Sequence, residues 1–267
     1  MNDIRIIDTH CHLDFNELKT RLDEVVKDAK TNNVTDMVTI STNLSRIDTI
    51  KDISEQYQEV FFTVGVHPNE AHKDKQYDDY HFIENYSNHE KCVGIGEGGL
   101  DYFYNMDNMK LQKRSLEVQI NVARSTNLPM IIHSRDADND MIEILKSEYK
   151  NGPFRAILHC FSSGEELAYC GLDLDFFISF SGILTFNSAK NIQKIAKNIP
   201  LNKILVETDS PYLAPSPVRG SVNEPKNCLH TAQFLSKLRN VNFFDLSETL
   251  YNNSLTIYDK IKLWKDK

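Results

Sequence analysis

Residues 92–101 read CVGIGEGGLD, and the fold turns on how this stretch is read. Its inner part, GIGEGG at 94–99, matches the dinucleotide fingerprint G-x-G-x-x-G letter for letter and follows an apolar run. Taken as that fingerprint it would open a doubly wound nucleotide-binding domain. The surroundings argue otherwise. The stretch lies on the fourth apolar run of the chain, LDYFYN (100–105) follows where a helix should begin, and the acidic residue 20 positions beyond Glu97, Glu117, sits inside a helical pattern. Read as a strand, CVGIGE (92–97) ends in a carboxylate. Its glycines then admit a close backbone approach, either of an ion or substrate at Glu97 or of a tightly packed neighbour.

The runs on either side repeat the pattern. IRIID (4–8), DMVTIS (36–41) and VFFTVGV (60–66) precede it, and PMIIH (129–133), FRAILH (154–159), DFFISFS (175–181) and ILVETD (204–209) follow. Helical spacing fills the gaps in ELKTRLDEVVKDAKTN from Glu17, LQKRSLEVQINVARSTN from Leu111 and NIQKIAKNI from Asn191, and a last helix is predicted over 246–263. Eight short apolar strands separated by helices predict an α/β chain whose parallel sheet closes into a (β/α)8 TIM-type barrel, one domain over residues 1–267. The alternative is an open doubly wound sheet, unusually wide for one uninterrupted domain.

Bulk properties narrow the function. With 267 residues, 40% of them hydrophobic, the chain can bury a sizeable core, and it shows no linker, repeat or low-complexity tract. Met1, Asn2, Asp3 and Arg5 lead straight into the first strand, which predicts no secretory leader, and no run is long enough to span a bilayer. Cys11, Cys92, Cys160, Cys170 and Cys228 are odd in number and lack CxxC spacing, which predicts a reducing, cytoplasmic setting. The 30 Lys and Arg against 38 Asp and Glu give a net charge of −8, which excludes a protein that coats nucleic acid electrostatically. An enzyme acting on one phosphate with the help of bound divalent cations is compatible with that charge. Walker A and GxSxG sequences are absent, leaving phosphate-cradle ATPase and serine hydrolase readings without support.

The ionisable residues fall in a pattern. His10 and His12, in IIDTHCHLD (6–14), end the first strand, His67 the third, Glu97 the fourth, His133 the fifth, His159 the sixth and Asp209 the eighth. Regular alternation would give Asp8, His10, His12 and Asp14 one face and Cys11 the other. In a barrel all these strand ends converge on the face where barrel enzymes hold their sites. His72, His81, His89 and His230 fall in loops or polar helical stretches and read as surface residues. Four imidazoles with two carboxylates on one rim suit a two-metal centre, since a carboxylate can bridge two ions.

IDTHCHLD, VGVHPNEA, GEGGLDYFY, PMIIHSRDA, ILHCFSS and VETDSPYLAP, in this order, closely resemble the TatD family of metal-dependent deoxyribonucleases, within the amidohydrolase-like barrel superfamily. The resemblance runs from Ile7 to the end of the barrel. It implies a hydrolase that trims DNA, typically from the 3′ end, through attack of a metal-bound hydroxide. It also implies one ion held by His10, His12, Glu97 and Asp209 and a second held by Glu97, His133 and His159, with Glu97 bridging and His67 on the substrate side. The chain departs from the family pattern at Gly98, where an apolar residue is usual, and at Ser163, where HCFSG has its glycine. VRGSVNEP (218–225) keeps Arg219 and the Asn223, Glu224, Pro225 triplet but has Ser221 and Val222 where a second basic residue is common.

Asp209 is expected to orient the attacking water or take its proton, and His67, held extended by Pro68, to meet a phosphate or protonate the leaving 3′ oxygen. Arg135 and Arg219 are candidate phosphate contacts, and otherwise solvated or ion-paired surface residues. Tyr102, followed by Phe103 and Tyr104, is a candidate for stacking on a terminal base, and otherwise a packing residue. The favoured reading is a DNA 3′–5′ exonuclease preferring single-stranded ends, acting as a monomer on a transient DNA partner, away from membranes. An ester or amide hydrolase, such as a D-aminoacyl-tRNA deacylase, is the alternative, because an activated carbonyl also suits such a site. A non-catalytic binding protein would have no reason to keep every ligand. The mixed nitrogen and oxygen donors admit Mg2+ or Mn2+ in use, and Zn2+.

Overall fold

The computed structural model describes residues 4–104 and 106–267. The reading of a missing leader rests partly on Met1–Asp3, which lie outside the described residues, as does Asn105 of the LDYFYN stretch. Each of the eight apolar runs forms a strand: β1 (Ile6–Cys11), β2 (Val34–Thr39), β3 (Val60–Val64), β4 (Cys92–Asp101), β5 (Met130–Arg135), β6 (Ala156–Leu158), β7 (Phe177–Phe180) and β8 (Ile204–Val206). They pair in sequence order, all in parallel. Just past β8 the chain returns to β1. Cys11 bridges Ser210, the His12 N–H donates to the Ser210 carbonyl at 2.8 Å, and the Asp209 N–H donates to the His10 carbonyl at 2.9 Å. The sheet is therefore a barrel, and CVGIGEGGLD is its fourth and longest strand.

Two apolar layers result from the alternation. Ile7, Val38, Phe61, Val93, Ile131 and Leu205 meet inside the barrel, while Ile6, Met37, Phe62, Val64 and Met130 face outward under the helices. The predicted last helix is in fact two, Phe243–Ile257 and Asp259–Lys265. The chain breaks at Tyr258, whose buried hydroxyl donates to the Thr9 carbonyl. That break lets Ile261 and Trp264 close the barrel floor, with Trp264 edge-on to Phe61. The helix expected from Glu17 is also divided, into Asn16–Lys19 and Leu22–Thr31, because Arg21 leaves helical geometry as its guanidinium pairs with Glu224. Among the described residues no helix is long and apolar enough to cross a membrane.

The alternation along β1 needs correction. Ile7 belongs to the inner layer and the Thr9 hydroxyl reaches Ser179, while Asp8 points the other way and accepts bonds from Thr208. A register shift between Asp8 and Cys11 then turns His10 inward directly after Thr9. Such a bulge re-aims side chains, and here it places His10 and His12 together while leaving Asp8 on the opposite face. Asp14 lies beyond the strand, paired with Arg46.

The glycines of β4 are also explained by packing, and not by an approaching ion. A Cβ on Gly98 would lie 2.6 Å from Gln119 Nε2 and 2.7 Å from the Met130 methyl, and one on Gly99 would overlap the His133 carbonyl oxygen. Gly99 also holds a φ of 155°. Neighbouring strand and helix press on β4, and only glycine fits between.

Candidate metal centre

The C-terminal strand ends bring buried His10, His12, Glu97 and His159 and half-buried His67, His133 and Asp209 into one cluster, in which two nests of donor atoms share Glu97. In the first, His10 Nε2 and His12 Nε2 face each other at 3.3 Å, with Asp209 Oδ1 at 3.6 and 3.3 Å and Glu97 Oε2 3.4 Å from His10. In the second, Glu97 Oε1 lies 2.8 Å from His133 Nδ1 and 2.7 Å from His159 Nε2, and those two nitrogens are 3.3 Å apart. One carboxylate thus sends an oxygen into each nest. Facing ring nitrogens that converge with carboxylate oxygens form a donor set fitted to divalent cations. Buried His10 Nδ1 finds no hydrogen-bond partner among the described residues.

The carboxylate charges agree with that use. Burial would raise the Glu97 pKa, but the imidazoles of His159, His67, His10 and His133 hold it well below the usual carboxylate range. Asp209 is likewise lowered against its burial, by His12 and His10. Burial and the neighbouring His159 drive His10 down, toward the neutral ring that can donate a lone pair. Burial would lower His12, His133 and His159 too, but the neighbouring carboxylates raise all three, so of the four ring ligands only His10 is lowered. Asp209 also adopts a left-handed backbone, φ 55°, a conformation costing on the order of 1–2 kcal/mol outside glycine. Such strain persists at functional sites, where the surroundings over-determine it.

Behind the nests stand carboxylates not singled out from the sequence. Asp101 Oδ2 lies 3.4 Å from His133 Nε2, and Asp101 is itself fixed by the N–H groups of Phe103 and Tyr104 and by the Asn69 amide. Burial opposes its ionisation, yet the bonds from His133 and Tyr104 bring its pKa down to about 2. Glu207 plays the corresponding part for His159, at 3.2 Å from Nδ1, and also accepts the Cys160 N–H. Carboxylates on the second nitrogen of a ligating histidine fix its tautomer and orientation. The available signals were spacing along the chain, Glu207 two residues before Asp209 just past β8 and Asp101 four beyond Glu97 on β4.

His67 borders the second nest and forms a third convergent group with Asp101 and His133, their donor atoms within 4.8 Å of one another. Its Nδ1 accepts the Asn69 N–H at 3.0 Å, so the neutral ring carries its proton on Nε2, 3.5 Å from Glu97 Oε1. Burial lowers its pKa to about 4, and the ring is a neutral hydrogen-bond donor near pH 7. The helix Met109–Thr126 steadies this region through two buried glutamines. Gln119 accepts the N–H of Val66 and donates to its carbonyl, both at 3.1 Å, next to His67. Gln112 accepts the Asp101 N–H at 2.8 Å and donates to its carbonyl at 3.1 Å.

Above the cluster opens a cavity of about 1660 Å³. Tyr102 and Arg135 line it, though the Tyr102 hydroxyl is fastened to Asp140. Phe103 and Tyr104, 56% and 67% exposed, carry their rings 4.0 and 4.7 Å from the Arg135 guanidinium. Arg219 does not line the cavity; it is exposed, 4.0 Å over the ring of Phe186. His81 and His89 pair with Glu84 and Glu55 away from the cluster.

The family model described as TatD related DNase matches residues 7–259. An uncharacterized metal-dependent hydrolase of Buchnera aphidicola, BU355, is 37% identical over 95% of this chain and 99% of its own length. The uncharacterized metal-dependent hydrolase YcfH of Escherichia coli is 35% identical over 95% of both chains. The crystal structure of YJJV, a TatD homolog from E. coli, superposes with a TM-score of 0.89 at 25% identity, over 96% of this chain and 98% of that one. With strand order, converging ligands and near full-length similarity in agreement, the chain belongs to the TatD family and is a metal-dependent hydrolase.

Proposed function

We propose that the protein is a deoxyribonuclease that removes nucleotides from single-stranded 3′ ends of DNA. The observation that carries this reading is the sharing of Glu97 between two donor nests at the bottom of a wide, open groove. The description of the matching family supports it. Two divalent cations, Mg2+ or Mn2+ in use, would be held by His10, His12, Glu97 and Asp209 and by Glu97, His133 and His159, and when bound would neutralise phosphate oxygens and acidify water.

The chain's own groups supply the rest. Asp209, held ionised, accepts the proton of the attacking water. Water adds to phosphorus, the bond from phosphorus to the 3′ oxygen breaks, and the products are a 3′ hydroxyl and a 5′ phosphate. His67 offers its Nε2 proton to the departing oxygen, and Arg135 a guanidinium to a phosphate. An acidic protein has little means of melting a duplex, which favours frayed or single-stranded ends. Five free cysteines fit work in a reducing cytoplasm.

A 5′-labelled single strand incubated with the metal-loaded protein should give a ladder shortening from the 3′ end, and a closed circular strand should stay intact. Cutting of the circle would overturn the exonuclease reading. Hydrolysis of an aminoacyl ester with the oligonucleotide untouched would move the assignment to the ester hydrolases.

A further inference from the structure

The two walls of the groove carry different arginines. Beside the first nest, Tyr212, 53% exposed, stands edge-on to Phe15, which stacks on the His12 ring at 4.8 Å. Arg46 lies over the same Phe15, but it is spent: its guanidinium pairs with the Asp14 carboxylate and donates to the Asp14 carbonyl, both at 2.8 Å. Glu17 adds negative charge near Tyr212. Beside the second nest, Arg135 lies against Phe103 and Tyr104 and has no ion pair among the described residues. Of the carboxylates there, Asp140 pairs with Lys113, while the half-buried Asp138, which accepts the Gly164 N–H, and the exposed Asp136 have no cationic partner among the described residues.

We infer that the groove is polarised: the terminal nucleoside of a single strand lies on the Tyr212 wall, and the strand continuing from it crosses the Phe103, Tyr104 and Arg135 wall, where Arg135 holds the next phosphodiester. This rests on the nuclease reading above. Aromatic rings at both walls accept any base, because every base has a π face. The walls differ in what they offer a phosphate. Beyond the scissile bond, the end of a strand brings a nucleoside with no further phosphate, whereas the continuing side brings one phosphate per residue. A guanidinium free of ion pairs matches the continuing side. The neutralised Arg46, with Glu17 close by, matches the phosphate-free side. In a chain of net charge −8, one uncommitted arginine in the groove has few competitors.

The test compares a dinucleoside monophosphate, which has only the scissile phosphodiester, with a trinucleoside diphosphate, which adds the one assigned to Arg135. Using the metal-loaded protein, the trinucleotide should show the higher kcat/KM, by about tenfold for one charge-assisted phosphate contact. Arg135→Ala should collapse that ratio toward one. Tyr212→Ala should lower both substrates by a similar factor, about tenfold for one lost base stack. A 3′-terminal phosphate on the trinucleotide should slow the wild-type protein. Equal losses on both substrates in Arg135→Ala, or a Tyr212→Ala effect confined to the longer one, would overturn the polarity while leaving the nuclease reading intact. If the wild-type protein cleaves neither substrate, the nuclease reading falls and the polarity with it.

Discussion

The two ends of the barrel bury charged groups in opposite ways. At the floor the Lys91 ammonium is surrounded by the carbonyls of Ser54, Tyr57, Gln58 and Val60, at 2.6 to 3.4 Å, and faces the rings of Phe61 and Trp264. Lys260 likewise donates to the Ser87 and His89 carbonyls. At the rim, imidazole nitrogens point at one another across 3.3 Å around Asp209 and the shared Glu97. Buried polar groups are normally satisfied by the protein itself. Where backbone carbonyls hold them, as at the floor, burial serves the fold; where ring nitrogens and carboxylate oxygens converge on one another, their pairing can be exchanged for a ligand.

The largest expected effect is at the rim. Glu97→Gln keeps the shape but removes the charge common to both nests, so turnover should fall by more than the roughly 10–100-fold that outer partners of metal sites command. Metal content should fall with it while the melting temperature stays near that of the metal-free wild type. Elemental analysis beside rate measurements decides this, and near-normal activity would erase the distinction between the two ends. At the floor, Lys91→Met should do the reverse. It leaves carbonyls without their donor and should cost about 2–4 kcal/mol of stability in denaturant titration, with turnover per folded molecule unchanged. Asp101→Asn sharpens the comparison within the rim. Metal affinity or turnover should drop about 10–100-fold, with partial recovery at high metal concentration; no change would remove Asp101 from the site.

The smallest effect concerns Asp8, which burial pushes up to about 8. The unfolded chain gives up this proton near pH 4, so the stability it contributes is complete below that value and is lost as pH rises toward 8. In metal-free protein, wild type should therefore lose stability relative to Asp8→Asn by about 1 kcal/mol between pH 6 and pH 7. A difference that does not vary with pH would show that Asp8 is already ionised.

The barrel was legible because strand number and order survive errors in strand ends. β6 and β8 are only three residues each, yet their apolar runs still announced them. The donor cluster was legible for a related reason: histidines and carboxylates directly following apolar runs must meet once the sheet closes. On β1 the shared face of His10 and His12, opposite Cys11, was read correctly, but Asp8 was not, because alternation assumes an unbroken register and one bulge reverses it. Asp101 and Glu207 stayed hidden because their part depends on where the second nitrogen of each ring points. Arg219 was plausible by type and neighbourhood but rests on Phe186 away from the groove, whereas Tyr102 does line it, its hydroxyl tied to Asp140.

Gln112 and Gln119 lie seven residues apart on one helix, and each grips a peptide at the end of a different strand. At 1.5 Å per residue the grips are spaced by about 10 Å, two turns of a rigid rod. The helix thus acts as a gauge block: it sets how far the arm carrying His67 stands from the arm carrying Asp101. Adding one residue between the glutamines would rotate one carboxamide by about 100° and disengage it, with every residue facing the substrate left as it was. The tolerance of the reaction centre is accordingly written into a helix on the outside of the barrel, in the spacing of two uncharged side chains.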